Sequence, residues 1–163
     1  MNHYGYYVER ILAHWIGEPK EGAYKTIRKY GLPNVATLSE LKWYNNRAWK
    51  RILVFREPVQ HNFPTPHVDF MEQIVDNRVP VDMFDEIAKF DGSAYLDRTQ
   101  GKATAKCHTE EMNFLTLNLL HDIVTGKRDV KNARMFYADI AALLYPTQTN
   151  TSDPDMAFFN TMD

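Results

Sequence analysis

Apolar residues recur at three- and four-residue spacing from the start of the chain: Tyr4, Tyr7, Val8, Ile11, Leu12, Trp15 and Ile16. One face of an amphipathic helix accounts for them, with Gly17 as its stop. Pro19 suits the first turn of a second helix. Ala23, Tyr24, Ile27 and Tyr30 form its stripe, and Gly31 followed by Pro33 closes it. The period then falls to two. Leu41 and Trp43 on one side of Asn45-Asn46, and Trp49, Arg51, Leu53 and Phe55 on the other, predict two antiparallel strands over 41–45 and 48–56. Paired asparagines tolerate the positive φ of a tight hairpin turn.

The stretch from Pro58 to Pro66 holds three prolines and is read as loop, because proline cannot donate to a central ladder. Over 70–79 two patterns compete. Phe70, Met71, Ile74 and Val75 would make a helical stripe, whereas the β-branched pair and the closing Val79-Pro80 suit a third strand, which is preferred. Pro80 starts a short helix carrying Val81, Phe84, Ile87 and Ala88. A hairpin follows, Ala94–Leu96 and Ala103–Ala105 around Gln100-Gly101. Thr109 and Asp129 read as N-caps of two helices, 109–125 and 129–145, joined through Gly126–Arg128. So short a connection makes them an αα-hairpin.

Helical and strand patterns are segregated, which gives α+β and not a βαβ winding. The expected fold is a mainly antiparallel sheet of three to five strands, flanked by N-terminal helices and a C-terminal αα-hairpin. Residues 1–146 form one domain, and 147–163 form a polar tail whose only apolar cluster is Met156-Ala157-Phe158-Phe159.

Composition changes this picture little. A chain of 163 residues with 44% hydrophobic and 25% charged residues has ordinary globular make-up. A formal net charge of −2 and no basic run argue against a nucleic-acid partner. No apolar run is long enough to span a membrane. The N-terminal residues lack the pattern of a secretory signal as written, so a cytoplasmic location is expected, or an extracytoplasmic one if a leader has been removed. The single cysteine, Cys107, rules out an intrachain disulfide.

The segment Gln60 to Asp69 carries the most chemistry. His61, His67 and Asp69 are the candidate metal ligands, since imidazole and carboxylate suit zinc, iron or manganese. With Asn62 they are also the candidate ligand-binding residues. The competing account is a loop packed on the sheet through Phe63, its histidines bonded to backbone carbonyls. No other cofactor is predicted. Cys107-His108 with Glu110 and Glu111 offers a thiol beside an imidazole, but neighbours on a strand point to opposite faces, so Cys107 is read as a small core residue.

Val124-Thr125-Gly126-Lys127 lacks the first glycine of a phosphate loop and ends a helix. No serine elbow or metalloprotease helix occurs, so there is no recognised catalytic constellation. Trp43, Tyr44, Trp49 and Phe55 on one hairpin are read as core packing in the absence of a basic groove.

Tyr30-Gly31-Leu32-Pro33, then Leu41-Lys42-Trp43-Tyr44 and a following strand, resembles the helix–Gly-x-Pro–strand unit of the BamE/SmpA and β-lactamase-inhibitor-protein-like small α/β folds. That resemblance implies a non-catalytic binding module, often of the bacterial envelope. Over most of its length the chain is also similar to an uncharacterised family of bacterial hypothetical proteins. The similarity rests on Trp43-Tyr44-Asn45-Asn46 with Trp49-Lys50-Arg51, on His61-Asn62-Phe63-Pro64 with His67 and Asp69, and on Asn118 through Lys127. It implies a bacterial origin and no particular activity. The functional expectation is a non-catalytic binding or assembly protein, working with a protein partner or as a homo-oligomer. The alternative is a small-molecule- or metal-binding enzyme with a pocket under the loop 58–69.

Overall fold

The computed structural model describes residues 2–146. Its elements run α1 (His3–Leu12), α2 (Gly17–Tyr30), β1 (Val35–Ala36), β2 (Glu40–Asn46), β3 (Trp49–His61) and β4 (His67–Asp76). A 3-10 turn (Val81–Met83), α3 (Phe84–Phe90), β5 (Ala94–Asp97), β6 (Lys102–Cys107), α4 (Glu110–Val124) and α5 (Val130–Leu144) follow. The strands form one antiparallel sheet of order β1-β2-β3-β4-β6-β5. The α+β class and the antiparallel pairing are as expected, and the two-residue β1 brings the strands to six. No helix of the described residues is long and apolar enough to cross a membrane. The apolar cluster of residues 156–159 lies outside the described residues.

Register explains where the core sits. The rung Leu41–Val54–Met71–Cys107 and the rung Trp43–Ile52–Gln73–Ala105 are buried throughout, while the rung between them, Lys42–Leu53–Glu72–Lys106, is half-exposed. A period of two thus separates a dry face from a wetter one. Helix α4 lies against the dry face, where Asn113 Nδ2 donates to the Met71 carbonyl at 3.1 Å and to Gln73 Oε1 at 2.9 Å. Trp43 and Trp49 are core residues, as expected, but Tyr44 is exposed.

Three expectations need correction. Gly17 does not stop α1, which already ends at Leu12. It opens α2 with a φ of 63° that a side chain would disfavour. The β2–β3 turn falls two residues later than Asn45-Asn46, at Arg47-Ala48, with Asn46 paired to Trp49 and positive φ at Asn45 and Arg47. Residues 58–66 are not all loop. Strand β3 continues through Pro58 to His61, because the register shifts between Val54 and Val59. Such a bulge leaves backbone groups unpaired, so a proline costs no ladder hydrogen bond there. Residues 70–79 are strand, as preferred, although β4 starts earlier and ends at Asp76.

One polar knot ties the N-terminal helices to the C-terminal half. Glu110, in the first turn of α4, accepts from Tyr30 Oη at 2.5 Å and Trp49 Nε1 at 2.7 Å, and pairs with Lys29 Nζ at 2.7 Å. Burial pushes its pKa up, but these three donors outweigh burial and hold it below the usual carboxylate range. A depressed pKa stabilises the fold above the pKa of the unfolded chain, and that contribution is lost as pH falls through the folded value. Glu110→Gln is therefore expected to lose about 1.5–3 kcal/mol in urea unfolding near pH 7, as hydrogen bonds to a charge do. The gap from wild type should narrow as the medium is acidified. An unchanged gap at low pH would show that the Glu110 charge is not what matters.

Candidate metal centre

The β3–β4 hairpin builds the site. His61 and His67 are its last paired residues, with 62–66 as the connecting loop, so their side chains leave the same face of the sheet. Asp69 lies two residues further along β4 and returns to that face. Met71 follows after two more and pairs with Cys107 on β6, which places the thiol beside the carboxylate from a neighbouring strand. The His-x5-His-x-Asp spacing is thus a hairpin followed by one strand period.

His61, His67, Asp69 and Cys107 are all buried. His67 Nδ1 lies 2.8 Å from the Thr65 carbonyl, so that nitrogen carries a proton and Nε2 faces inward. Nε2 is 3.0 Å from Asp69 Oδ1 and 3.7 Å from Cys107 Sγ. His61 Nδ1 lies 3.0 Å from Asp69 Oδ2, and its outer Nε2 is 3.5 Å from Oδ1 of the buried Asp91. Ser93 Oγ donates to Asp69 Oδ2 at 2.5 Å, and the Ser93 N–H donates to Asp91 Oδ1 at 2.8 Å. Asp69 Oδ1, by contrast, accepts no aligned hydrogen bond.

Helices roof the cluster. The Tyr137 hydroxyl of α5 is 3.8 Å from Cys107 Sγ, and its ring stacks on Phe63 of the hairpin loop at 5.4 Å between centroids. Phe63 anchors the loop as its competing account proposed, since the Arg134 guanidinium also lies 3.7 Å from that ring. The anchor and the convergence of the histidines coexist.

The charges follow from this packing. Burial disfavours a protonated His67, but Asp69, then Cys107 and the Thr65 carbonyl, push its pKa up to about 10. Burial would raise Asp69, yet His61, His67 and Ser93 hold it well below the usual carboxylate range. Burial pushes the Cys107 thiol up, with His67 opposing it. Burial, helped by the His67 charge, brings His108 down to about 4. Without a metal, the centre therefore holds an Asp69 carboxylate against a His67 imidazolium.

The cluster contains two groups with metal-ligand character, His61–His67–Asp69 and His67–Cys107–His108, whose donor atoms lie within 4.8 Å of one another in each group. Asn62 stands outside it, exposed, with its Oδ1 accepting from Gln60 at 3.2 Å. Cys107 and His108 were expected to face apart. Strand β6 ends at Cys107, however, so the alternation ends with it and His108 Nδ1 comes to 3.4 Å from Sγ. Asp91, Ser93 and Tyr137 were not singled out from the sequence, because they reach the hairpin only through tertiary packing. A cleft of about 440 Å³ bordered by Pro58 and Val68 lies beside the hairpin, but none of the cluster's side chains lines it.

No protein-family model, curated protein or solved structure matches the chain.

Proposed function

We propose that this chain is a non-catalytic metal-binding protein in which His61, His67 and Asp69 hold one divalent transition-metal ion. The observation that carries the reading is the direction of the imidazole nitrogens. The outer nitrogen of His67 is hydrogen-bonded to the Thr65 carbonyl and that of His61 lies 3.5 Å from Asp91 Oδ1, while both inner nitrogens face Asp69 at 3.0 Å. His67 is oriented as metal-binding histidines are, with the far nitrogen held by a carbonyl. Asp69 Oδ1 belongs to the same arrangement, being buried and 3.0 Å from an imidazole nitrogen without an aligned hydrogen bond. Donors that converge on a shared point face each other in this fashion. The bare ion pair would satisfy charge but leaves that misalignment without a cause.

Binding, not turnover, fits the burial. The side chains of His61, His67 and Asp69 are 4%, 4% and 2% exposed, which leaves a substrate no direct approach. An ion placed there would join the end of β3 to the start of β4, and its binding would release the proton held by the inner nitrogen of His67. The test is elemental analysis of full-length protein purified without chelator or affinity tag. About one zinc-type ion per chain is expected, together with its loss in His67→Ala. A folded wild-type protein that holds no metal after incubation with zinc and cobalt(II) would end this reading.

A further inference from the structure

We infer that His67, Cys107 and His108 form a second metal seat, suited to copper(I), which shares His67 with the His61–His67–Asp69 seat so that only one of the two is filled at a time. The seat stands on its own donor atoms. It rests on the metal-binding reading above only for the competition between the two. Cys107 Sγ lies 3.7 Å from His67 Nε2 and 3.4 Å from His108 Nδ1. The donor atoms of the three residues all lie within 4.8 Å of one another. Metal bonds of about 2.0–2.1 Å to nitrogen and about 2.3 Å to sulfur, opened at roughly 110–120°, set nitrogen and sulfur about 3.5–3.8 Å apart. The His67 separation falls inside that range and the His108 separation just short of it.

The chain builds this seat where a strand turns into a helix. Cys107 ends β6 and Thr109 caps α4, so His108 alone makes the turn and its ring comes back beside the sulfur. That ring lies 5.1 Å from the His67 ring and 4.9 Å from the Tyr145 ring, between centroids. Its Nε2 is buried and has no hydrogen-bond partner among the described residues, so no backbone group claims the imidazole. His67, by contrast, is fixed from outside by Thr65, which leaves Nε2 as its one inward nitrogen. One nitrogen serves one ion, and an ion on the sulfur side therefore excludes one on the Asp69 side. Asp69 then keeps His61 Nδ1 and Ser93 Oγ as neighbours.

Softness assigns the ions. A thiolate selects copper(I) over hard cations, and imidazole suits copper as well, so the softer ion goes to the seat with the sulfur and the divalent one to the seat with the carboxylate. One thiolate charge also neutralises a monovalent ion, which matters because Cys107 is buried and an unpaired buried charge is costly. On binding, the thiol and the inner nitrogen of His67 each give up a proton to solvent, and the ion takes their place.

Full-length protein, stripped with chelator and kept reduced and free of oxygen, is expected to bind about one copper(I) per chain when the ion is supplied as its acetonitrile complex. X-ray absorption at the copper edge should show one sulfur and two nitrogen neighbours, together with a near-ultraviolet thiolate-to-copper band. Added to zinc-loaded protein, copper(I) should release the zinc and keep the total near one ion per chain. Cys107→Ser, checked for folding by circular dichroism, should lose the copper and still take up zinc. Copper(I) without a sulfur neighbour, copper retained by that variant, or no stoichiometric copper(I) at all would overturn the seat, and zinc binding would then leave His61–His67–Asp69 standing. Zinc and copper(I) held together on one chain would overturn the sharing of His67. Copper(I) bound through sulfur by a chain that takes no zinc would keep this seat and remove the other. The wild-type spectra decide the matter even if the variant does not fold.

Discussion

Asp69→Ala is expected to destabilise the metal-free protein by about 3–5 kcal/mol, the usual cost of removing one partner from a buried ion pair. The carboxylate faces His61 Nδ1 and His67 Nε2 and accepts from Ser93, and all of these contacts are buried or partly buried. Its loss leaves the imidazole that Asp69 keeps charged without a counter-ion, and it leaves the Ser93 hydroxyl without its acceptor. In a chain of 163 residues this corresponds to a fall in Tm of about 6–20 °C. The same substitution should abolish stoichiometric metal. Thermal unfolding of metal-stripped wild type and variant separates the two effects. A loss below about 1 kcal/mol would mean that water already enters the cluster and screens it.

Leu119→Ala is expected to cost about 2–5 kcal/mol, the range for buried leucine truncations that leave a cavity. Leu119 is 2% exposed on α4, the helix that covers the dry face of the sheet, and it belongs to the same apolar cluster as Leu120, Ile123 and Ala133. Urea unfolding should show a lower midpoint with an unchanged slope, because the surface exposed on unfolding is nearly the same. A cost near zero would place Leu119 in solvent.

The parts of the fold legible in the sequence are those fixed by local chemistry. Thr109 and Asp129 do cap α4 and α5, accepting from the backbone N–H of Met112 and Asn132, and Gly126 ends the first of these helices with a φ of 74°. Glu110–Val124 and Val130–Leu144 therefore fall within a residue of their expected limits. Pro58 misled the reading because its tolerance comes from a register shift, a property of the β3–β4 pair that the sequence of β3 alone does not carry. Gly17 misled it for a related reason, since a positive φ serves at the start of α2 as well as at the end of α1.

The candidate site divides along the same line. His61, His67 and Asp69 could be chosen from spacing. Their convergence follows only once the strands extend to 61 and 67, so that the five residues between the histidines become the loop. A histidine, a short proline-containing loop, then His-x-Asp at strand period is the signal that would have found the facing pair. Cys107 and Asp91 carry no such signal. They arrive through β4–β6 pairing and through the turn after α3, and both depend on contacts distant in sequence.

The order of the strands has a consequence for solubility. The longest strands, β3 with thirteen residues and β4 with ten, are interior, while the borders are the two-residue β1 and the four-residue β5. An unpaired strand border is a template on which another chain can add its own strand, and a long flat one invites fibrous growth. Here Arg51–Val54 of β3 and Met71–Ile74 of β4 are paired on both sides by their neighbours. The stubs left at the margins offer a newcomer only a few backbone partners, and β5 ends at Asp97, with Arg98 directly after it. The sheet's own layout guards the chain against edge-to-edge stacking.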